Sequence, residues 1–431
     1  MTSNSKEPQT LLIIDLLVDL GYNCKNLEKG VIMDIQDILK NHYNVSQFIE
    51  MIGDQFPLLK KFKDTHQDKI WHAEGDVHIH TDMVLDQIYA IIANEASHLS
   101  DDDKFSLVIG ALLHDIAKPL VTKDVERNGR ICVVAPKHEY IGISYLIHRI
   151  QSLNISQENI MKILGLVGYH QVPKLMIMRD KSQWEYYNLS QKARLDLLYY
   201  LEIADMKGRT SDDLDNQLEY LELFKLYAQE HGCYDSAKLP VISDNEYVQM
   251  KGFKALLNGT IHMPEEAESK FFAHKDEHGE LVVMTGISGV GKSTYIKQKY
   301  PSHVLVSLDE IRADLGKNRQ DHTNEDKVLQ VARLKIKTLL AKKNKVVYDA
   351  TNIRRDFRDK VLTIGHNYNA LTRVDFLTDS LSNIIKRDNE REHSVGAKII
   401  HYQDDRFEYP EFDECDTYNI VFSDASKKKK W

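Results

Sequence analysis

The chain has 431 residues, 42% of them hydrophobic and 28% charged, which are the proportions of an ordinary globular protein with room for two or three domains. No apolar run approaches the roughly 20 residues that span a bilayer, and the start, Met1-Thr-Ser-Asn-Ser-Lys6, lacks a signal-peptide core, so a cytoplasmic protein without a membrane partner is expected. Cys24, Cys132, Cys233 and Cys415 form neither a C-x-x-C pair nor a zinc spacing, so no disulfide is expected.

The net charge of −9 is unevenly spread, because residues 281–431 hold 27 Lys and Arg against 22 Asp and Glu, or +5, which leaves −14 for residues 1–280. Such mild basicity suits a local groove or a strand end; wrapping a duplex needs a broad basic face. The Lys427–Lys430 run reads as a solvated tail.

Residues 11–62 carry apolar positions at helical spacing, broken at Gly21, Gly30, Gly53 and Pro57, and predict a few short helices with a packing role. From about Ile70 to Asp215, histidines stand beside acids in apolar helical contexts: His72, His78 and His80 in WHAEGDVHIHTDMV, His114-Asp115 after the run Val108–Leu113, His138, His170, and Asp205 in LEIADMKGR. A single buried His is usually a satisfied core residue. A His-Asp doublet with further separated His and Asp points instead to a divalent metal held by imidazole and carboxylate. On a helix through the doublet, His114 and Lys118 share a face and Asp115 points about 100° away, so both ligands of the pair can close on one ion only at the helix edge.

This pattern resembles the HD superfamily of all-helical metal-dependent phosphohydrolases, whose motif order H…HD…D is matched by His80, His114-Asp115 and Asp205. The segments H-x-EGD-x-x-x-HT and AD-x-K-GRT also look like the HD domain of bacterial-type tRNA nucleotidyltransferases. The resemblance implies His80, His114, Asp115 and Asp205 as ligands of a first ion, with His138 and His170 as ligands of a second. One or two transition-metal ions such as Mn²⁺, Ni²⁺ or Fe²⁺ are expected. A water made acidic by the ions would attack phosphorus, with Lys118 and Arg209 on phosphate oxygens. His78 is the alternative to His80, which is preferred because the following Thr81 matches the family's HT. His72, Glu74 and Asp76 shape an access loop or are purely structural.

Leu218, Leu221, Leu223 and Leu226 predict a closing helix, and Gly252, Gly259 and Pro264 then mark a connector. The apolar run Leu281–Thr285 leads into Gly286-Ile-Ser-Gly-Val-Gly-Lys-Ser-Thr294, which predicts a strand, a phosphate-binding loop and a helix. The G-x-x-x-x-G-K-S spacing lets backbone N–H groups of Gly286, Ser288, Gly289, Val290, Gly291, Lys292, Ser293 and Thr294 gather around phosphates at a helix N-terminus. ATP or GTP is expected, with Lys292 at the β- and γ-phosphates and Ser293 holding Mg²⁺.

Past the loop, VLVSLDEIRADL predicts a strand ending at Asp309 with Arg312 on the next turn, at the strand edge where open parallel sheets place their chemistry. There an acid can take the proton of an attacking hydroxyl and an arginine can hold an anionic acceptor. A long helix over Lys327–Lys343 follows, then a strand Lys345–Asp349 before Arg354, Arg355 and Arg358, a strand Leu371–Leu377 and a helix Leu381–Arg387. Arg387 and Arg391, four apart in a polar segment, suit a lid over phosphates.

GISGVGKST, LDEIR, VYDATN, R-x-x-x-R and FEYP together resemble the polynucleotide 5′-kinase family, over about residues 279–431. That resemblance implies ATP and Mg²⁺, Asp309 as general base on the 5′-hydroxyl, Arg312 on the acceptor phosphate, and Arg387 and Arg391 on the ATP phosphates. Gly396 departs from the family, where a Pro often follows Val395.

The expected fold is therefore multidomain. A helical segment 1–60 and an all-α HD metallohydrolase domain 61–245 precede a connector 246–278 and an α/β P-loop kinase domain 279–431 with a parallel sheet. The combination resembles the bifunctional HD-Pnk end-healing enzymes. It implies removal of 2′,3′-cyclic or terminal phosphates, phosphorylation of 5′-OH ends, RNA (cleaved tRNA included) as partner, and a ligase acting afterwards. Two other readings stay open: an HD nucleotidase joined to a small-molecule or nucleoside kinase, and an HD half that binds RNA without catalysis. DNA against RNA and the oligomeric state stay undecided.

Overall fold

The first part of the chain folds into helices whose starts are written in their capping residues. The Asp76 side chain accepts the backbone N–H of Ile79 to open the helix Val77–Asn94, Ser100 that of Asp103 to open Asp101–Leu113, and Ser156 that of Asn159 to open Gln157–Tyr169. The computed structural model describes residues 33–423 except 69, 71, 72, 74, 210–213 and 317–321. The expectations for residues 11–32, His72, Glu74 and Lys427–Lys430 lie outside the described residues.

In order, the helical part comprises α1 (Ile35–Asn41), α2 (Val45–Ile52), α3 (Val77–Asn94), α4 (Asp101–Leu113), the short α5 (Lys118–Val121), α6 (His138–Leu146), α7 (Gln157–Tyr169), α8 (Val172–Met178), α9 (Gln183–Ser190), α10 (Leu195–Lys207) and α11 (Leu214–Glu230). Helices α3, α4, α7 and α10 pack on one another, and their apolar residues are almost wholly buried. One hairpin interrupts them. Strands β1 (Lys123–Arg127) and β2 (Arg130–Val134) pair antiparallel, and Asn128 and Gly129 make the turn with φ of 52° and 75°.

The stretch expected as a connector carries α12 (Glu246–Leu257) and α13 (Glu266–Phe271), which pack against the start of the sheet, where Tyr247 OH donates to Asn369 O at 3.0 Å. The second part follows with β3 (Glu280–Thr285), α14 (Lys292–Lys299), β4 (Val304–Ser307), α15 (Leu308–Leu315), α16 (Glu325–Ala341), β5 (Lys345–Asp349), α17 (Arg355–Asn367), β6 (Leu371–Thr378), α18 (Leu381–Asn389), α19 (Ala397–Asp405) and β7 (Thr417–Phe422). All five strands run parallel in the order β4-β5-β3-β6-β7.

The sheet is apolar on both faces, as parallel sheets covered by helices are. Leu281, Val283, Val346, Tyr348 and Val374 face α16 and α17. The alternate residues Val282, Met284 and Val347 belong to a core that is continuous with the helical part, and Phe376 at the end of β6 joins that core as well. The fold is an all-helical HD region, apart from its hairpin, followed by a domain built on a parallel five-stranded sheet. Cys132, Cys233 and Cys415 are free thiols. Among the described residues no helix is long and apolar enough to cross a membrane.

Candidate metal centre and phosphate-loop site

Helix α4 stops at Leu113, and His114 is its C-cap. Pro119, at the start of α5, has no N–H to continue the helical ladder, so the chain turns through Asp115–Ala117. This corrects the expectation of one uninterrupted helix through the doublet. The turn lets Asp115 point inward together with His114, and it brings Lys118 Nζ to 2.7 Å from Asp115 Oδ2.

Around Asp115 the fold gathers all six residues expected from sequence. His80 Nε2 lies 3.0 Å from Asp205 Oδ1 and 3.7 Å from Asp115 Oδ2. His114 Nε2 is 3.2 Å from Asp115 Oδ2, while His138 Nε2 and His170 Nε2 are 3.2 and 4.0 Å from Asp115 Oδ1. All six are buried. Two triads could each hold an ion, His80–His114–Asp115 and Asp115–His138–His170, with Asp115 in both. His78 faces away, toward Ser46 and Asp82. Asp76 caps α3.

The second hydrogen bond of each histidine bears on whether the donor set suits a metal. The Nδ1 atoms of His80, His114, His138 and His170 face the backbone carbonyls of Gly208, Ala111, Ala135 and Val167, at 3.3, 2.6, 2.8 and 3.0 Å. A carbonyl only accepts, so each Nδ1 keeps its proton, and with a cation bound each ring would offer it a lone pair on Nε2. Four lone pairs converging on two carboxylates, with His138 Nε2 and His170 Nε2 just 3.4 Å apart, form a set that a cation satisfies. The residues fit one or two divalent ions.

Electrostatics agree with that charge demand. Burial opposes ionisation of Asp115, but His114 and Lys118 outweigh it and hold the carboxyl well below the usual range. Arg209 does the same for Asp205 against burial. Burial, with His114 and His138 adding to it, drives His170 well below the ordinary histidine value.

Arg209, expected on a substrate phosphate, closes on Asp205 itself, with Nε 3.0 Å from Oδ1 and Nη2 on Oδ2. Gln67 Oε1, which no motif singles out, accepts from Lys118 Nζ at 2.5 Å. The buried pair Lys174–Glu202, at 2.8 Å beside Asp205, was equally invisible because its members lie on different helices.

In the second site Gly286 ends β3 with φ 145°, and a Cβ there would lie 2.6 Å from Leu377 O, so the turn into the loop needs glycine. Lys292 Nζ donates to Gly286 O at 2.7 Å and Ile287 O at 3.1 Å. Burial pushes its ammonium down to about 8, against the pull of Asp349 and Asp309. The backbone N–H of Ser288 donates to Gln403 Oε1 at 2.7 Å. Gly289 and Val290 line the loop, and Gly291, Ser293 and Thr294 start α14.

Strand β4 ends at Ser307, two residues earlier than expected. The Ser307 hydroxyl caps α15, so Asp309 and Arg312 both lie on that helix. Arg312 Nη1 holds Asp309 Oδ1 at 2.6 Å, and its Nη2 holds Glu325 Oε1 at 2.8 Å. Arg312 is buried while the Asp309 side chain is 67% exposed.

Arg387 donates to Gly289 O at 3.1 Å and to Asp379 Oδ2 at 2.6 Å, and Arg391 pairs with Asp388. Asp379 is a further site residue absent from the sequence reading. Asp388 also accepts from the N–H of Gly396, whose φ of 86° no proline can adopt, which explains the departure at that position. Arg354, Arg355 and Arg358 pair with Asp356, Glu411 and Glu414, so they bind the protein to itself.

Residues 77–206 match the family model described as HD domain, and residues 281–410 match that described as AAA domain. Among solved structures, a gluconokinase from Sinorhizobium meliloti 1021 is similar at 19% identity, over 34% of this chain and 83% of that one, with a TM-score of 0.27. Kti12 from Chaetomium thermophilum, in complex with ADP-AlF3, is similar at 17% identity, over 35% and 91%, also at 0.27. At these values neither likeness says what this chain acts on. The chain joins an HD hydrolase domain to a P-loop kinase-like domain.

Proposed function

We propose that the protein heals nucleic-acid ends, RNA foremost: the HD half hydrolyses 2′,3′-cyclic or terminal 2′/3′ phosphates, and the C-terminal half transfers the γ-phosphate of ATP to 5′-OH ends. The observation that carries this reading is the presence, in one chain, of a buried His/Asp cluster converging on Asp115 and a phosphate loop whose Lys292 is within the electrostatic pull of Asp309, itself paired with Arg312. A broken strand bearing a blocked 3′ end and a 5′-OH needs both chemistries before a ligase can act.

In the HD half, His80, His114, Asp115 and Asp205 would hold one ion, and Asp115, His138 and His170 would hold the other. Such ions, when bound, supply Lewis acidity at phosphoryl oxygens and lower the pKa of water. Arg209 fixes the Asp205 carboxylate, and Lys118 offers its charge beside Asp115 to an incoming phosphate. In the kinase half, the loop amides and Lys292 bind the ATP phosphates, and Ser293 holds Mg²⁺. Asp309 takes the proton of the 5′-hydroxyl, and Arg312 orients Asp309 and the acceptor. Arg387 and Arg391 lie over the transferred phosphoryl group. Their charges stabilise an in-line transfer whose cost is chiefly positioning.

A second reading, an HD nucleotidase joined to a small-molecule or nucleoside kinase, is favoured by the pairing of Arg354, Arg355 and Arg358 with acids, which removes the basic cluster a nucleic-acid strand would use. Competing oligonucleotide and mononucleoside acceptors for radiolabelled γ-phosphate tests the choice. Preferred labelling of nucleosides would overturn the end-healing reading.

A further inference from the structure

Helix α6 serves both halves of the molecule. Its first residue, His138, belongs to the metal cluster, while Tyr140 and Ser144, four apart and so on one face, and His148 in the turn just past the helix all bond to the kinase half. Tyr140 OH donates to Tyr409 O at 3.0 Å, and Ser144 Oγ accepts from Tyr409 N at 3.0 Å. His148 Nδ1 meets Asp404 Oδ1 at 2.8 Å, and Arg149 Nη2 meets Asp404 Oδ2 at 2.8 Å. Just beyond, Gln151 Nε2 donates to Thr378 Oγ1 at 2.9 Å, at the C-terminal end of β6.

Asp404 is 4% exposed and lies on α19. Its neighbour Gln403 is the residue that accepts the N–H of Ser288 in the phosphate loop. The same helix starts at Gly396, which is tied through Asp388 to the segment carrying Arg391. Thus α19 touches the loop with one residue, holds the end of the arginine segment with another, and is gripped from the HD half by a third.

We propose that His148 and Arg149, although they lie in the HD half, are positioning residues of the kinase site: through Asp404 they fix α19, and through α19 the seat of Gln403 on the phosphate loop. This rests on the phosphotransferase reading of the second half, and it is independent of which acceptor is phosphorylated. A buried carboxylate deprived of its cationic partner must shift or draw in water, and α19 moves with it.

The test is Mg-ADP binding by calorimetry on the full-length chain, with phosphatase rate on a model phosphodiester and HD metal content measured alongside. Arg149→Met and Asp404→Leu should each weaken Mg-ADP by roughly tenfold, within the usual span of site-to-site coupling. Phosphatase rate and metal content should stay within about twofold, a separation that general destabilisation would not produce. The conservative Arg149→Lys should recover most of the affinity, and Gln403→Ala should reproduce the loss without touching the HD half. If Asp404→Leu fails to fold, Arg149→Met and Gln403→Ala decide the matter. Unchanged Mg-ADP affinity in folded Arg149→Met overturns the proposal, and so does a parallel loss of both activities in Arg149→Met and Arg149→Lys. A native chain that binds no Mg-ADP removes the kinase reading and this proposal together, whereas a failure to phosphorylate RNA ends leaves the proposal standing.

Discussion

Asp115→Asn separates a bridging carboxylate from an ordinary ligand. One Asp115 oxygen faces His80 and His114, at 3.7 and 3.2 Å, and the other faces His138 and His170, at 3.2 and 4.0 Å. An asparagine offers a single acceptor oxygen and turns an NH₂ donor toward the opposite histidine pair, so it cannot serve both triads. Each ion at about 100 times its Kd stabilises the fold by about 2.7 kcal/mol, so two ions contribute about 5 kcal/mol that a chelator removes. For domains of this size that corresponds to roughly 10–20 °C in Tm. Metal analysis with paired melting curves, with and without chelator, reads both quantities. The native protein should hold about two ions, His170→Ala about one with half the chelator-sensitive stabilisation, and Asp115→Asn no more than one with half of it or less. An Asp115→Asn protein that keeps both ions would refute the bridging role.

Asp309→Ala should lower 5′-OH phosphorylation by about 10²–10⁴-fold, the usual contribution of a general base, while phosphatase activity is unchanged; retained kinase activity contradicts its role. Arg358 is fully buried and holds Glu414 through Nε at 2.6 Å and Nη2 at 2.9 Å, with Asn352 O and Glu408 O also bonded at 3.0 Å. Arg358→Met should therefore cost about 3–5 kcal/mol in denaturant unfolding, and adding Glu414→Leu should restore most of it. Nucleotide affinity should depend on pH through Lys292. Its folded pKa is depressed to about 8, so below that pH the ammonium is already charged, and above it phosphate binding must take up a proton. Mg-ADP affinity should then be flat to about pH 8 and fall up to tenfold per unit beyond it; a flat profile to pH 9.5 contradicts the assignment.

Much of this was legible where the signal is local. The phosphate loop is one unbroken run of spacing, and the strands of the second half show as short apolar runs, so Lys345–Asp349 is the same in sequence and structure. The helical part was legible as ligands and not as geometry. That His80 turns into the cluster while His78 turns to Asp82 depends on how α3 seats on α10, two residues on a helix being about 200° apart. The missed elements include the hairpin, the helices of the expected connector and β7. The Asn128-Gly129 hairpin signal is present, but it lies in a helical context and its strands are too short to show alternation. Gly252 inside α12 imitates a break. Strand β7 follows FEYP without any apolar run of its own beyond Ile420–Phe422. Gln67 and Gln403 took their contacts from partners distant in the chain, which no spacing rule can pair, whereas Arg209 lies at i,i+4 from Asp205, a spacing that could have paired them.

The most direct test of the central claim is to give the purified protein an RNA break carrying a 2′,3′-cyclic phosphate and a 5′-OH, with ATP, Mg²⁺ and Mn²⁺, and to analyse both ends. The account predicts a 3′ end freed of phosphate and a 5′ end newly phosphorylated, the first lost in Asp115→Ala and the second in Asp309→Ala. Untouched RNA ends alongside a phosphorylated nucleoside or other small molecule would contradict it.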